Sequence, residues 1–271
     1  MKSAKEVNID IRLIDLVNSL DLSGLAMKGL KLLLANEELQ ASQEYANTVS
    51  IVRLGYNDHG PVHMRTVTYN AVLMLDLLRK AGFKTSLEAD GVGEFEDSLM
   101  GVMLASMFHD LGMGMGRQNH ELHSIVLAMP LIDHIMDQVY HDNIQKRVMI
   151  RALALEGVAG HMGTIAVSSL EAGIVQVADG CDMTKGRARI PIHMIQTPRV
   201  GLIHQFSANS IENVEIQAGM EKPVRIDVHM SSEIGLFQVE EVLMHKIAQS
   251  TAKQHIELYA KVGEDDERRY L

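Results

Sequence analysis

Six polar residues stand at the ends of apolar, helix-patterned stretches: His63, His109, Asp110, His120, His161 and Asp179. Any one of them alone reads as a helix cap or a satisfied core residue. A buried Asp beside a buried His is costly without a partner, and the cost is relieved when such groups converge on a divalent cation. His109 and Asp110 are adjacent and so do not share a helix face. Both can still border one cavity if an ion sits at the helix end, where a short Asp side chain can span two ions. Imidazole mixed with carboxylate suits Mn, Fe, Ni, Co or Zn better than Ca, while Mg ordinarily takes more oxygen ligands.

The same residues carry three motifs. FHDLGMG holds the pair at 109–110, His63 opens an HxxxV pattern ending at Val67, and Asp179 sits in VADGCDM. Taken in order, each in a helical context, they resemble the HD superfamily of metal-dependent phosphohydrolases over about residues 55–195. The likeness is closest to the HD catalytic part of ribonuclease Y and related archaeal and bacterial HD proteins. MTKGRARIP follows Asp179, and then comes a small unit with an IQAG-like strand, a helix and a final strand, which extends the likeness to nearly residue 263.

This resemblance implies an HD-domain helical bundle and a divalent cofactor, one or two ions among Mn, Fe, Ni, Co, Zn and Mg. It makes His63, His109, Asp110 and Asp179 the ligands of one ion, and His120 and His161 those of a second, with Asp110 bridging. Asp110 is also the catalytic residue, against which a metal-activated water would be held for in-line attack on phosphorus. His123 fits one family spacing as well, but His120 is favoured because the small Ser124 stands four places on. His59, one turn before His63, is expected beside the ligands or at a helix cap. Lys185, Arg187 and Arg189 lie just past Asp179 and are expected to bind substrate, because a guanidinium grips two phosphate oxygens in fixed geometry. Arg117 is a weaker candidate. The GMGMG turn beside it lacks the GK[ST] element of a Walker loop.

The expected activity is a phosphohydrolase or phosphodiesterase acting on a nucleotide or other phosphate ester. Relative to ribonuclease Y the chain lacks the membrane anchor, the long coiled coil and the KH module with its GxxG loop. A ribonuclease Y-like nuclease on short single-stranded RNA is therefore the alternative, RNA being the less favoured substrate. A non-catalytic metal or nucleotide sensor is the other.

The elements that must position these residues follow from periodicity. Ile9, Leu13, Leu16, Val17 and Leu20 fall on one helical face, and a second helix is expected through LAMKGLKLLLANEELQASQEYANTVSIV. Asp58 is a candidate N-cap with Pro61 in the first turn. Val67, Ala71, Met74, Leu75 and Leu78 form the next stripe, and Gly82 is a natural stop. The helix from Phe95 to about His109 is almost wholly apolar from Leu99 onward, so buried on all sides. Helices are expected over 120–140, with a kink or break near Pro130, and over 144–158. A further one opens on a capping box of Ser168 with Glu171. VEIQAG, VRIDVHMS and HIELYAKV read as strands around an amphipathic helix in FQVEEVLMHKIAQ.

The resulting architecture is mainly α: an all-helical HD domain over 1–195 (N-terminal helices 1–58, HD core 59–195), a small C-terminal β-β-α-β unit over 200–263, and a frayed charged tail over 264–271. Free strand edges in the small unit suggest a homodimer. The 271 residues carry 46% hydrophobic and 22% charged side chains, enough for a sizeable core and too apolar for a disordered chain. The 25 Lys+Arg against 35 Asp+Glu give a net charge of −10, which argues against broad nucleic-acid binding. One cysteine, Cys181, excludes an intrachain disulfide and Cys-rich zinc motifs. The 18 Met read as gap-filling helix core. The opening MKSAKEVNIDIRLIDL lacks a charged-then-apolar leader, and Leu99–Phe108 is about half a membrane span, so a cytoplasmic protein with no membrane partner is expected.

Overall fold

The computed structural model describes residues 2–185, 202–264 and 267–271. The fold is mainly α with a C-terminal α+β unit. The helices are α1 (Ala4–Asn18), α2 (Leu25–Ala35), α3 (Glu37–Thr48), α4 (Pro61–Lys80), the short α5 (Ser86–Ala89), α6 (Phe95–Phe108), α7 (His120–Val139), α8 (Ile144–Gly160) and α9 (Leu170–Cys181). No helix among the described residues is long and apolar enough to cross a membrane.

Helix α6 is the hub. Every one of its side chains is buried, and α2, α4, α8 and α9 pack round it. The apolar run from Leu99 to Phe108 thus has neighbours on all sides, as its composition requires. Each Leu, Val or Phe fully buried there contributes roughly 1.5–3 kcal/mol. The α4 stripe of Val67, Ala71, Met74, Leu75 and Leu78 faces this core, and so do Ile9, Leu13, Val17 and Leu20, while Leu16 is half-buried. A buried polar brace ties the N-terminal helices to the end of α6. Arg65 donates to Asp10 Oδ1 (2.8 Å), Gln43 Oε1 (3.0 Å) and Gln40 Oε1 (2.7 Å), and Gln43 donates on to the Met107 carbonyl (2.9 Å).

The structure corrects several boundaries. The single helix expected through residues 25–52 is two, because Asn36 is extended and its side chain accepts from Leu39 N, capping α3. Beyond α3 the chain widens into a π-helical segment, Val49–Leu54. The N-cap of α4 is Gly60; Asp58 instead accepts from Gly60 N (2.8 Å), while Pro61 does occupy the first turn. Helix α9 is capped by Ser169, whose hydroxyl accepts from Ala172 N. Glu171 closes no box with Ser168: it accepts from Ser98 Oγ (2.6 Å), and Ser168 is held by Glu156 (2.7 Å). Helix α7 continues through Pro130.

The C-terminal unit opens with α10 (Leu202–Ser210), which runs straight into β1 (Ile211–Ala218). Strand β2 (Val224–Met230) pairs antiparallel with β1. A π-helical segment (Gln238–Leu243) and α11 (Met244–Gln249) then cross over to β3 (Ile256–Val262), parallel to β2 with Ile226 opposite Leu258. Parallel neighbours need such a crossover. Where a frayed tail is expected from the sequence, Arg268–Arg269 form β4, antiparallel to β3, and the sheet order is β1-β2-β3-β4. Tyr270 N also donates to the Leu258 carbonyl (2.8 Å).

Candidate metal centre

Four histidines reach one buried centre from four helix ends. His109 and His161 are each the first residue beyond a helix, α6 and α8 respectively. Helix C-termini leave carbonyls without partners, and each imidazole takes one. His109 Nδ1 donates to the Ser106 carbonyl (2.8 Å) and His161 Nδ1 to the Val158 carbonyl (2.7 Å). His120 opens α7, with Nδ1 donating to the Arg117 carbonyl (2.9 Å). His63 lies in the first turn of α4, and its Nδ1 faces Asp182 Oδ2 at 2.7 Å. All four side chains are buried.

These contacts fix the tautomers. Carbonyls and carboxylates only accept, so each Nδ1 carries the proton and each Nε2 offers a lone pair. The Nε2 atoms point at one another: His63 to His109 at 3.1 Å, and His120 to His161 at 3.1 Å. Asp110 lies between the pairs. Its Oδ2 is 3.3 Å from His63 Nε2 and 3.2 Å from His109 Nε2, while its Oδ1 is 3.2 Å from His120 Nε2 and 3.5 Å from His161 Nε2. Asp179 Oδ1 adds a second carboxylate oxygen on the first side, 3.3 Å from His63 Nε2 and 3.8 Å from His109 Nε2.

Acceptors held face to face at such distances repel unless a cation lies among them. Among the described residues three sets can hold a metal ion, each with its donor atoms within 4.8 Å of one another: His63, His109 and Asp110; His109, His161 and Asp179; Asp110, His120 and His161. The donor chemistry fits a divalent ion of the Mn, Fe, Ni, Co or Zn kind. The C-terminal ends of α6 and α8 both point at the centre, and their dipoles favour positive charge there.

The electrostatics agree. Burial raises the Asp110 carboxyl, but the neighbouring imidazoles of His109, His59 and His120 outweigh it, leaving it well below the usual carboxylate range. Burial likewise raises Asp179, and Lys246, His63 and His109 reverse this so that it too is held well below that range. His161 is pushed down to about 4 by burial, partly opposed by the adjacent Asp110 carboxylate. At neutral pH the centre therefore holds ionised carboxylates and, at His161, a neutral imidazole.

The turn between α6 and α7 depends on Gly112. A Cβ there would overlap the His120 carbonyl and stand 2.7 Å from Ser124 N, and backbone cannot step aside. Gly112 N donates to Ser124 Oγ (2.8 Å). Small residues at 112 and 124 thus let the start of α7 lie against the turn after the His109–Asp110 pair, which brings His120 to the centre.

The six residues named from the sequence meet here. His123 does not: it is in none of the three sets, and its Nδ1 is buried without a hydrogen bond among the described residues. His59 stands beside His63, ring centroids 5.9 Å apart, with Nδ1 against the Asn57 carbonyl (2.6 Å) and Ser50 Oγ (2.8 Å). Arg117 sits at the rim, with Nη1 3.3 Å from His120 Nε2 and its guanidinium 6.0 Å from the exposed Tyr56 ring. Lys185 is exposed, and Arg187 and Arg189 lie outside the described residues. Two residues escaped the sequence reading. Asp182 stands one helical turn after Asp179, a spacing that could have marked it. Lys246 reaches Asp179 Oδ2 from α11 and donates to the His161 carbonyl (2.9 Å).

The chain is 40% identical over 233 residues to a protein of Methanocaldococcus jannaschii described as "Uncharacterized protein MJ1020", covering 86% of this chain and 88% of that one. No family model matches the chain, and no solved structure does.

Proposed function

This chain belongs to the family of that Methanocaldococcus jannaschii protein, and we propose that it is a metal-dependent phosphohydrolase or phosphodiesterase of the HD kind, acting on a nucleotide or other phosphate ester. One observation carries the proposal: two pairs of Nδ1-protonated imidazoles turn their lone pairs inward on either side of a single carboxylate, Asp110.

In this reading His63, His109, Asp110 and Asp179 hold one ion, and His120 and His161, sharing Asp110, hold a second. A divalent ion bound there supplies Lewis acidity toward phosphoryl oxygen and lowers the pKa of a water toward neutrality. The chain's own residues do the rest. Asp110, ionised and only 2% exposed, is the anionic acceptor against which the attacking water is held. The carbonyl contacts of His109, His120 and His161 keep the rings from turning, and the Asp182 contact does the same for His63. Arg117, at the rim, offers a guanidinium to the phosphate, and Tyr56 beside it offers a ring face to a nucleobase. Lys185, Arg187 and Arg189 remain candidates for further phosphate contacts. The division of the chain near residues 195–200 into helical body and small unit, and a homodimer built on the small unit, belong to the same proposal.

The test is hydrolysis of bis-p-nitrophenyl phosphate and a panel of mononucleotides by purified protein loaded with Mn or Ni, alongside elemental analysis of bound metal. Turnover is expected to fall at least about a hundredfold in Asp110→Ala, since one residue serves both halves. Turnover equal in Asp110→Ala and wild type rejects the reading. Cleavage of short RNA in place of small esters would move the assignment to a nuclease.

A further inference from the structure

Helix α11 belongs to the C-terminal unit, yet it lies along α9, the helix that carries Asp179. Three features show a built contact. Ser250 Oγ donates to the Gly173 carbonyl (2.8 Å), and Thr251 Oγ1 to the Ser169 carbonyl (2.7 Å). Gly180, next to Asp179, leaves room that a side chain would take: a Cβ there would stand 3.1 Å from Leu243 Cδ1 and 3.2 Å from Lys246 Cδ. Through that gap the Lys246 stem passes, 6% exposed, and its ammonium ends on Asp179 Oδ2 and the His161 carbonyl. A buried lysine is costly unless paired and hydrogen-bonded, and both of these partners belong to residues of the centre.

The two oxygens of Asp179 therefore have different occupations. Oδ1 faces His63 and His109; Oδ2 is taken by Lys246. We propose that Lys246 is a positioning residue of the metal centre, supplied by the C-terminal unit, which restricts Asp179 to a single coordinating oxygen and so keeps a coordination position open for water or substrate. The inference rests on the metal-centre reading above. Open positions distinguish catalytic from structural metal sites, and a carboxylate free at both oxygens can chelate. The lysine trades some metal affinity, by placing a positive charge near the ion, for access.

The experiment uses the full chain loaded with Co²⁺ or Mn²⁺ and compares wild type with Lys246→Met, which keeps the stem, and Lys246→Arg, which keeps the charge and the donors. Three quantities are read: the metal dissociation constant, the visible absorption of the Co²⁺ form, and turnover. Lys246→Met is expected to bind metal ~3-fold or more tightly, to show an altered Co²⁺ spectrum as Asp179 becomes bidentate, and to lose turnover roughly 10–100-fold. Lys246→Arg is expected to keep the wild-type spectrum and affinity. A packing role alone would weaken metal binding together with thermal stability in both variants. Unchanged spectrum and affinity in Lys246→Met, or weaker binding in it, overturns the proposal while leaving the metal centre intact. A wild type that binds no divalent metal overturns both. If Lys246→Met does not fold, Lys246→Gln, neutral but still able to donate to the His161 carbonyl, is judged by the same criteria.

Discussion

Removing Asp182 should weaken divalent-metal binding without dissolving the fold. Its Oδ2 lies 2.7 Å from His63 Nδ1, and His63 is fully buried. A hydrogen bond from a ring N–H to an ionised carboxylate is worth about 1.5–3 kcal/mol. Here it also selects the tautomer: without it the proton can move to Nε2, and the lone pair facing His109 and the two carboxylates is lost. Loss of such an outer partner typically costs 10–100-fold in metal affinity, or about 1.4–2.8 kcal/mol, which matches the value of the bond itself. Asp182→Ala should therefore raise the Mn²⁺ dissociation constant 10–100-fold by that estimate. Asp182→Asn, which keeps a neutral acceptor, should raise it by roughly threefold to tenfold. Titration calorimetry on chelator-stripped protein gives both constants, and thermal melts of the metal-free variants show whether the fold has changed. Wild-type affinity in Asp182→Ala would falsify the idea that this contact holds His63 in its ligating form.

The remaining expectations concern the same centre. His120→Ala should abolish binding in the half it shares with His161, seen as a loss of bound metal by elemental analysis, whereas His123→Ala should leave metal content unchanged; the reverse result would exchange their roles. Gly112→Ala should destabilise by about 2–4 kcal/mol, in the range of severe overpacking, and denaturant unfolding that shows less than half of that would mean the turn after Asp110 can shift freely. For the metal-free protein, the unfolded chain protonates His161 near 6.5 and the folded chain only near 4. This contribution to stability is thus complete above pH 6.5 and is lost as pH falls toward 4, at no more than about 1.4 kcal/mol per pH unit. A midpoint of thermal unfolding that stays level across that window in chelator, or that falls equally in His161→Gln, argues against a buried neutral imidazole.

The helical body was legible because its signals are redundant. The α4 stripe repeats at helical spacing, and α6 has no polar face to turn outward, so both could be placed from side-chain types alone. Boundaries failed where a short polar residue had more than one partner within reach. Ser168 and Glu171 have the spacing of a capping box, but Glu156 and Ser98 offer them better-placed bonds, and Ser169 caps instead. Asn36 ended a helix that periodicity carried through it. Arg268 and Arg269 became a strand because β3 had an open edge, which local composition does not record. At the centre, the residues named from the sequence are those whose polarity contradicts apolar surroundings. Lys246 carried the same contradiction, since it falls with Val239, Leu243 and Ile247 on the buried side of its segment, but there it read as the charged half of an amphipathic helix. What no pattern contains is that this side is covered by α9, so that a lysine 67 positions after Asp179 becomes its neighbour.

That separation has a meaning for vectorial synthesis. At roughly 5–20 residues per second, a nascent chain presents all six inward-facing side chains several seconds before the ribosome has added the cation that anchors the outer oxygen of Asp179. Until α11 is added, Asp179 Oδ2 has no lysine to meet. Lys246 is thus the last of the centre's residues to be made, and the centre is complete only once the C-terminal unit has followed the helical body off the ribosome.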